Sequence, residues 1–324
     1  MTHSEATSAP AETAAQVPAV RHAATRRVAV AMEHVPCNHC GHQVTHGVHN
    51  VSRLVQCVNC GLIFVNPRPA FADLARQYEG SYFHCAEPTF GGYEDYEADH
   101  ADIVRTFEGR MGVMRDQVRG ERPRALDVGC ATGIFLEVAR EAGWQPEGVD
   151  ISAYALARAE AKGFKVQRGT LLDIELPEAA FDVITMWDLI EHVPDPAAVF
   201  AECHRLLKPG GVLAISTPDA GSVLARVLRG RWLGFRSIDE HLYFFSHRTI
   251  AAMLEHAGFE VRRFVQVGKV LALPRLVERM RFYSRIAALL LRQVDRVMPR
   301  LSIHVNPRDT MVVLAVRPGE PPEG

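Results

Sequence analysis

The chain has 324 residues, 48% of them hydrophobic, which is enough to bury one large core and a small accessory unit. Its 36 basic and 38 acidic residues leave a formal net charge of -2, so no global electrostatic attraction marks nucleic acid as the main partner, and a small molecule fits better. No stretch approaches the roughly 18 to 20 uninterrupted apolar residues of a membrane span. Four of the seven cysteines form two close pairs, while Cys85, Cys130 and Cys203 stand singly. That usage argues for a reducing, cytoplasmic setting and against a disulfide framework.

Residues 1–33 are rich in Ala, Thr and Pro and lack the apolar run that an export signal needs after Arg26 and Arg27, so they are expected to be a disordered tail. Residues 34–70 form the next unit. Within it, CNHCGHQVTHGVHNVSRLVQCVNCG contains two C-x2-C-G knuckles separated by sixteen residues. Each knuckle can aim two thiolates at one ion, and Cys37, Cys40, Cys57 and Cys60 complete a closed four-thiolate zinc site that folds the unit without catalysing. A redox dithiol would need only one pair. A site in which His39, His42 or His46 replaces a thiolate stays open. Tyr78, Tyr82 and Phe83 follow, in a region (71–120) of linking helices and acceptor-side cap that includes a helix expected over 95–119.

From residue 121 the pattern alternates. RALDVGCATGIFLEVAREAGW reads as strand, Gly-rich turn and helix, and the alternation recurs through strands at 147–150, 164–168, 181–187 and 211–217. This predicts an α/β fold: a doubly wound, seven-stranded, mostly parallel sheet of Rossmann type with helices on both faces. Asp195-Pro196 opens a helix and Lys208-Pro209-Gly210-Gly211 closes it. A further helix runs from Arg248 to Ala257, and a last strand spans Thr310 to Val316. The core is expected over 121–267, with its final strand at 309–318.

The turn at Asp127, Gly129 and Gly133 suits a close approach of backbone to a ligand at a helix N-terminus, and Asp150 stands at the end of the second strand, where ribose hydroxyls bind in such folds. A helix cap is the plainer role for Asp150. The dinucleotide fingerprint is not met, because Ala131 occupies the position of its second Gly.

LDVGCATG, GVDIS, FDVITMWDLIEHVPDP and LLKPGGVLAISTP, in this order over residues 120–267, resemble the successive motifs of class I S-adenosylmethionine methyltransferases, in particular the ubiquinone-type O-methyltransferase branch. The resemblance implies that Asp127, Gly129 and Gly133 line the methionine and sulfonium end of the cofactor. It further implies that Asp150 bonds the ribose, that Leu171 and Leu172 border the adenine and that Trp187 covers the cofactor from the fourth strand. Cys130, Ala131 and Ile151, their chain neighbours, complete the set. The front knuckles followed by NPRP are similar to the N-terminal module of certain deoxysugar C-methyltransferases, whose large additional C-terminal domain these 324 residues do not include.

Methyl transfer from a sulfonium needs an aligned acceptor and a base. One candidate is Glu240-His241 in RSIDEHLYFFS, which matches the Glu-His pair of the deoxysugar branch except that Ile238 stands where those enzymes have Tyr. The alternative role of His241 is to seat its loop. The other candidate is Asp188-x-x-Glu191-His192, whose counterpart in the ubiquinone-type branch is assigned to a divalent metal. Either His192 serves as acid or base, or Asp188, Glu191 and His192 hold Mg.

Residues 268–308 read as a basic, amphipathic helical insertion. Leu276, Met280, Tyr283, Ala287, Leu290, Val294 and Val297 recur at helical spacing among seven arginines of 274–300. A lid or dimer helix packed through that stripe is one reading, and a peripheral membrane contact serving a lipid-linked acceptor is the other. Taken together, the sequence predicts a methyltransferase acting on a sugar, a quinone-like compound or another secondary metabolite, with a noncatalytic zinc-containing scaffold of the same fold as the alternative.

Overall fold

A computed structural model describes residues 31–71, 99–298 and 301–319. The expected tail before residue 31, together with Tyr78, Tyr82, Phe83 and Cys85, lies outside them.

The front unit contains β1 (Met32–Glu33), β2 (Thr45–Gly47), β3 (Leu54–Cys57), β4 (Ile63–Val65) and β5 (Arg68–Pro69). Its two knuckles are built alike. Gly41 N donates to Cys37 O at 2.8 Å and Gly61 N to Cys57 O at 3.0 Å. Both glycines sit at positive φ, +70° and +80°, which a side chain would strain.

The core begins with α1 (His100–Met114), followed by β6 (Arg124–Val128), α2 (Ile134–Glu141), β7 (Gln145–Asp150), α3 (Ala153–Ala161), β8 (Lys165–Arg168) and β9 (Phe181–Trp187). It continues through α4 (Pro196–Leu206), β10 (Leu207–Pro218), α5 (Val223–Leu228), β11 (Tyr243–Phe244), α6 (His247–His256) and β12 (Glu260–Gln266). After β12 come β13 (Lys269–Ala272), α7 (Leu273–Tyr283), α8 (Arg285–Val297), β14 (Ser302–Val305) and β15 (Thr310–Val316).

Local chemistry sets the helix starts. Ser152, Asp195 and Ser246 each accept a backbone N–H of the first turn of α3, α4 and α6. The expected helix over 95–119 is shorter in its described part, His100–Met114, and β10 starts at Leu207 rather than 211 because Leu207 already pairs with Phe181.

The sheet order is β12-β15-β10-β9-β6-β7-β8. Only β15 runs against its neighbours. Side chains alternate between faces as pleating demands: Ile184, Met186, Leu213, Ile215, Val313 and Ala315 join one buried cluster, while Val183, Trp187, Ala214, Val312 and Leu314 join the other. Chain order reverses between β6 and β9, which opens a crevice beyond the carboxyl ends of those strands.

The front unit is not an appendage. β11 pairs antiparallel with β4, Tyr243 opposite Phe64 and Phe244 opposite Ile63, so a core segment supplies the fourth strand of the module's sheet, β11-β4-β3-β2. Cys37, Cys57, Leu62 and Phe64 share one buried cluster with Tyr243 and Phe245.

The insertion departs from the expected single helix. A hairpin of β13 and β14 frames it, and the helix breaks at Ser284, whose backbone is extended (φ -153°, ψ 114°) and whose hydroxyl caps α8. The apolar stripe therefore splits. Leu276, Met280 and Tyr283 of α7 face the main cavity, whereas Leu290, Val294 and Val297 of α8 are exposed.

Candidate active site

After β6 the backbone doubles back tightly: Gly129 N and Cys130 N donate to Val149 O at 2.7 and 3.1 Å. The Asp150 carboxylate then joins two turns, accepting Ala131 N and Ser152 N at 2.9 Å each. Asp150 thus acts as a cap, and it also lines the cavity. Ala131 sits at φ +48°, a left-handed conformation that costs an L-residue roughly 1–2 kcal/mol.

A cavity of about 800 Å³ opens over this turn. Asp127, Gly129, Cys130, Ala131, Asp150, Ile151, Leu171, Leu172 and Trp187 all line it. Gly133 does not. A Cβ there would lie 3.1 Å from Ala159, so this glycine serves the close packing of α2 on α3. Trp187 stands edge-on to Phe135, with ring centroids 5.2 Å apart, and the Arg110 guanidinium lies 5.4 Å from its ring centre.

Asp127 is buried, and burial pushes its carboxyl up to about 8, against the opposing effect of a 2.6 Å bond from the Thr185 hydroxyl. Between about pH 5 and pH 8 the folded chain therefore retains a proton that the unfolded chain has lost. The stabilising contribution is complete below the unfolded pKa and disappears as pH rises through the folded one. Asp127→Asn is accordingly expected to gain on the parent as pH rises from 5 to 8, by at most roughly 1.4 kcal/mol per pH unit. Urea unfolding at a series of pH values measures this, and parallel curves for the two proteins would refute it.

The two base candidates, far apart in sequence, meet at one point. Leu242 N donates to Glu191 O at 2.7 Å and His192 Nδ1 to Glu240 O at 3.0 Å, bringing the rings of His192 and His241 to 4.6 Å at nearly a right angle. All four residues, Glu191, His192, Glu240 and His241, line the cavity. Burial pushes His192 down to about 4. Burial, and then the neighbouring His192, hold His241 well below the ordinary histidine range. Both rings are therefore neutral near pH 7. His241 Nδ1 is buried with no hydrogen-bond partner among the described residues. Glu191 accepts the Thr217 hydroxyl at 2.9 Å, and burial, followed by the charge of Asp188, pushes it up to about 8.

The Mg alternative joins Asp188 to Glu191 and His192. The Asp188 carboxylate is held by Arg110 at 2.9 Å, Lys269 at 2.8 Å and the Ser216 hydroxyl at 3.0 Å. Burial alone would raise its pKa, but the two cations outweigh that and hold it well below the usual carboxylate range. The ligand atoms that lie within 4.8 Å of one another belong to Glu191, His192 and His241. No spacing in the sequence points to Arg110 or Lys269, which arrive from α1 and from β13.

The four knuckle thiols form a second cluster within 4.8 Å, with Cys37 Sγ 3.4 Å from Cys60 Sγ and Cys40 Sγ 3.6 Å from Cys57 Sγ. A tetrahedral ion with Zn–S bonds near 2.3 Å separates its sulfurs by roughly 3.8 Å, so the four fit zinc. His39 instead meets His256 edge-on, 6.2 Å away, and none of the three alternative histidines joins the thiol group.

A family model described as a methyltransferase domain matches residues 95–263, more than half of the chain, and the chain belongs to that family. Sequence relatives narrow the likeness. A ubiquinone biosynthesis O-methyltransferase of Thiobacillus denitrificans is 36% identical over 151 residues, 42% of this chain and 64% of that protein. One from Pseudomonas aeruginosa is 38% identical over 157 residues, 44% of this chain and 66% of that protein. The chain thus spans just under two thirds of the length of these relatives. Among solved structures, a SAM-dependent methyltransferase from Archaeoglobus fulgidus superposes with a TM-score of 0.48 at 20% identity, covering 68% of this chain and 98% of that one.

Proposed function

We propose that the protein transfers the methyl group of S-adenosylmethionine to a small-molecule acceptor, with His241 receiving the acceptor's proton. The observation that carries this reading is the meeting of the Gly-rich turn, Asp150 and the His192–His241 pair in one cavity. The cofactor would lie along Gly129 to Ala131, with its ribose at Asp150 and its adenine between Leu171 and Leu172. The acceptor would enter from the side of α7 and β13. S-adenosylmethionine, when bound, would supply an electrophilic methyl group to the acceptor's lone pair and depart as the thioether, and the neutral His241 ring would take up the acceptor's proton. The names of the relatives favour oxygen as the nucleophile and a quinone-like or other secondary metabolite as acceptor.

Zinc, held by Cys37, Cys40, Cys57 and Cys60, supplies structure alone in this reading, since a closed thiolate site has no open position. The grouping of Glu191, His192 and His241 supports a second reading, in which these residues hold a divalent cation that polarises the acceptor hydroxyl.

Calorimetric titration tests the proposal directly. S-adenosylmethionine is expected to bind at one site per chain, and Asp150→Ala to weaken that binding roughly tenfold to a hundredfold through loss of a charged hydrogen bond. Absence of binding to the parent protein would favour the noncatalytic scaffold. Unchanged affinity in the variant would remove Asp150 from the cofactor's contacts.

A further inference from the structure

Two segments that wall part of the cavity combine exposed aliphatic side chains with arginine. From Gly221 to Arg236 the chain carries four arginines and no acidic residue, and from Leu273 to Met298 it carries six against Glu278 and Asp295. In a chain of formal net charge -2 this is a marked local excess of positive charge. Arg226, Arg229, Arg231, Arg236, Arg279 and Arg292 are all exposed.

The aliphatic residues among them are also exposed: Val223 by 76% and Val227 by 72% on α5, Ile286 by 74%, Leu290 by 64% and Val297 by 81% on α8. On α8, Ile286, Leu290, Val294 and Val297 recur at three- and four-residue steps and so share one face. A packed amphipathic helix buries such a face. Here it is open.

The two segments touch. Leu233 N donates to the Tyr283 hydroxyl at 3.2 Å, and Val227, Arg231, Arg236 and Tyr283 line a shared groove. Leu224 and Trp232 from the first segment and Leu276 and Met280 from the second also wall the main cavity. The segment from Leu273 onward lies beyond the residues that the family model matches.

We propose that this surface docks the protein on an anionic lipid bilayer. Aliphatic side chains entering the interface, with arginines meeting lipid phosphates, account for both halves of its composition. A second copy of the chain is disfavoured, because a two-fold contact would bring the arginines of one copy against those of the other. Nucleic acid would leave the exposed valines and leucines unused. Among the described residues no helix is long and apolar enough to cross a membrane, so the contact is with the interface. Docking would bring two segments that wall the cavity against the bilayer. The corollary that an amphiphilic acceptor enters from there rests on the methyl-transfer reading.

Co-sedimentation of the full chain with vesicles of phosphatidylcholine, with and without phosphatidylglycerol, tests the docking. The protein is expected to pellet with the anionic vesicles at low salt and to be released by high salt. The triple variant Arg226→Glu, Arg229→Glu, Arg231→Glu is expected to bind at least tenfold more weakly, as is the pair Ile286→Ser, Leu290→Ser, with cofactor titration verifying that both remain folded. Failure of the parent protein to pellet with anionic vesicles at low salt overturns the proposal. So does binding unchanged in both variants, or light scattering that shows a dimer which Leu290→Ser dissociates in the absence of any vesicle binding. Pelleting requires no turnover, so an inactive protein that still pellets would refute methyl transfer and leave the docking standing.

Discussion

His241→Gln is expected to lower kcat by roughly 10²- to 10⁴-fold, the range for loss of a positioned base, while leaving the affinity for S-adenosylmethionine unchanged. Glutamine preserves much of the side chain's volume and polarity but takes up no proton. The backbone of the site should persist, because His241 is held through its own N–H to Ser237 O at 2.6 Å and through Leu242 N to Glu191 O, bonds that do not involve the ring. The pH profile separates a base from a mere packing residue: with its pKa held well below the ordinary range, His241 acting as a base should give the parent an acid limb in kcat that lies below the usual histidine range and that His241→Gln lacks. His192→Gln is the companion variant. It loses an imidazole whose Nδ1 is already given to Glu240 O, so its effect should be smaller. A His241→Gln enzyme that turns over at the parent rate would remove His241 from the chemistry. An activity abolished by chelation while the four-thiolate site keeps its metal would favour the cation reading of Glu191, His192 and His241.

The second large effect is expected at the thiolates. Structural zinc contributes on the order of 10–16 kcal/mol to the folding of small modules, comparable with or larger than the whole stability of a typical domain. Cys57→Ser should therefore unfold the front unit, and elemental analysis should fall from one zinc per chain to none. The consequence reaches the site through strand pairing. β11 follows His241 closely in the chain, and it is fastened by β4 and by Val65 N donating to Leu242 O at 2.9 Å. Loss of β4 removes the pairing that braces the segment presenting Glu240 and His241 and leaves it on Leu242 N to Glu191 O and its own local turn, while the Gly-rich turn and Asp150 keep their bonds within the core. The expected signature is a collapse of kcat with S-adenosylmethionine affinity changed by less than about threefold, a shift under roughly 0.7 kcal/mol. A zinc-free protein with full turnover would refute this coupling.

What could be read from the sequence was local. Two knuckles, a Gly-rich turn, a helix cap at Asp195, and a final apolar strand at Thr310–Val316 each occupy a few consecutive residues whose spacing states their geometry. The arrangement of the site was less legible. Arg110 and Lys269 reach Asp188 from elements about eighty residues away on either side, and a lone arginine or lysine carries no periodic signal. His192 and His241 read as rival bases because nothing in their spacing foretells the bond from Leu242 N to Glu191 O that brings them together. The break at Ser284 was masked by apolar residues that continue at helical spacing across it. The signal that exposes it is the serine itself, a strong N-cap residue in front of a second apolar run. Gly133 shows the opposite case, in which a residue of the expected type serves helix packing.

The pairing of β4 with β11 also bears on how the chain is made. Residues 63–65 emerge from the ribosome well before residues 243–244, and until the later segment arrives the hairpin of β3 and β4 has an open edge and an uncovered Phe64. Contacts this distant in sequence close late, since the loop entropy must be met first. Metal capture by the knuckles needs only local closure. It can precede that step and keep the nascent hairpin from pairing with strands of other chains. In this protein the ion would act as a chaperone in time as well as a fixture in space, and starvation for zinc during synthesis should show first as insoluble chain.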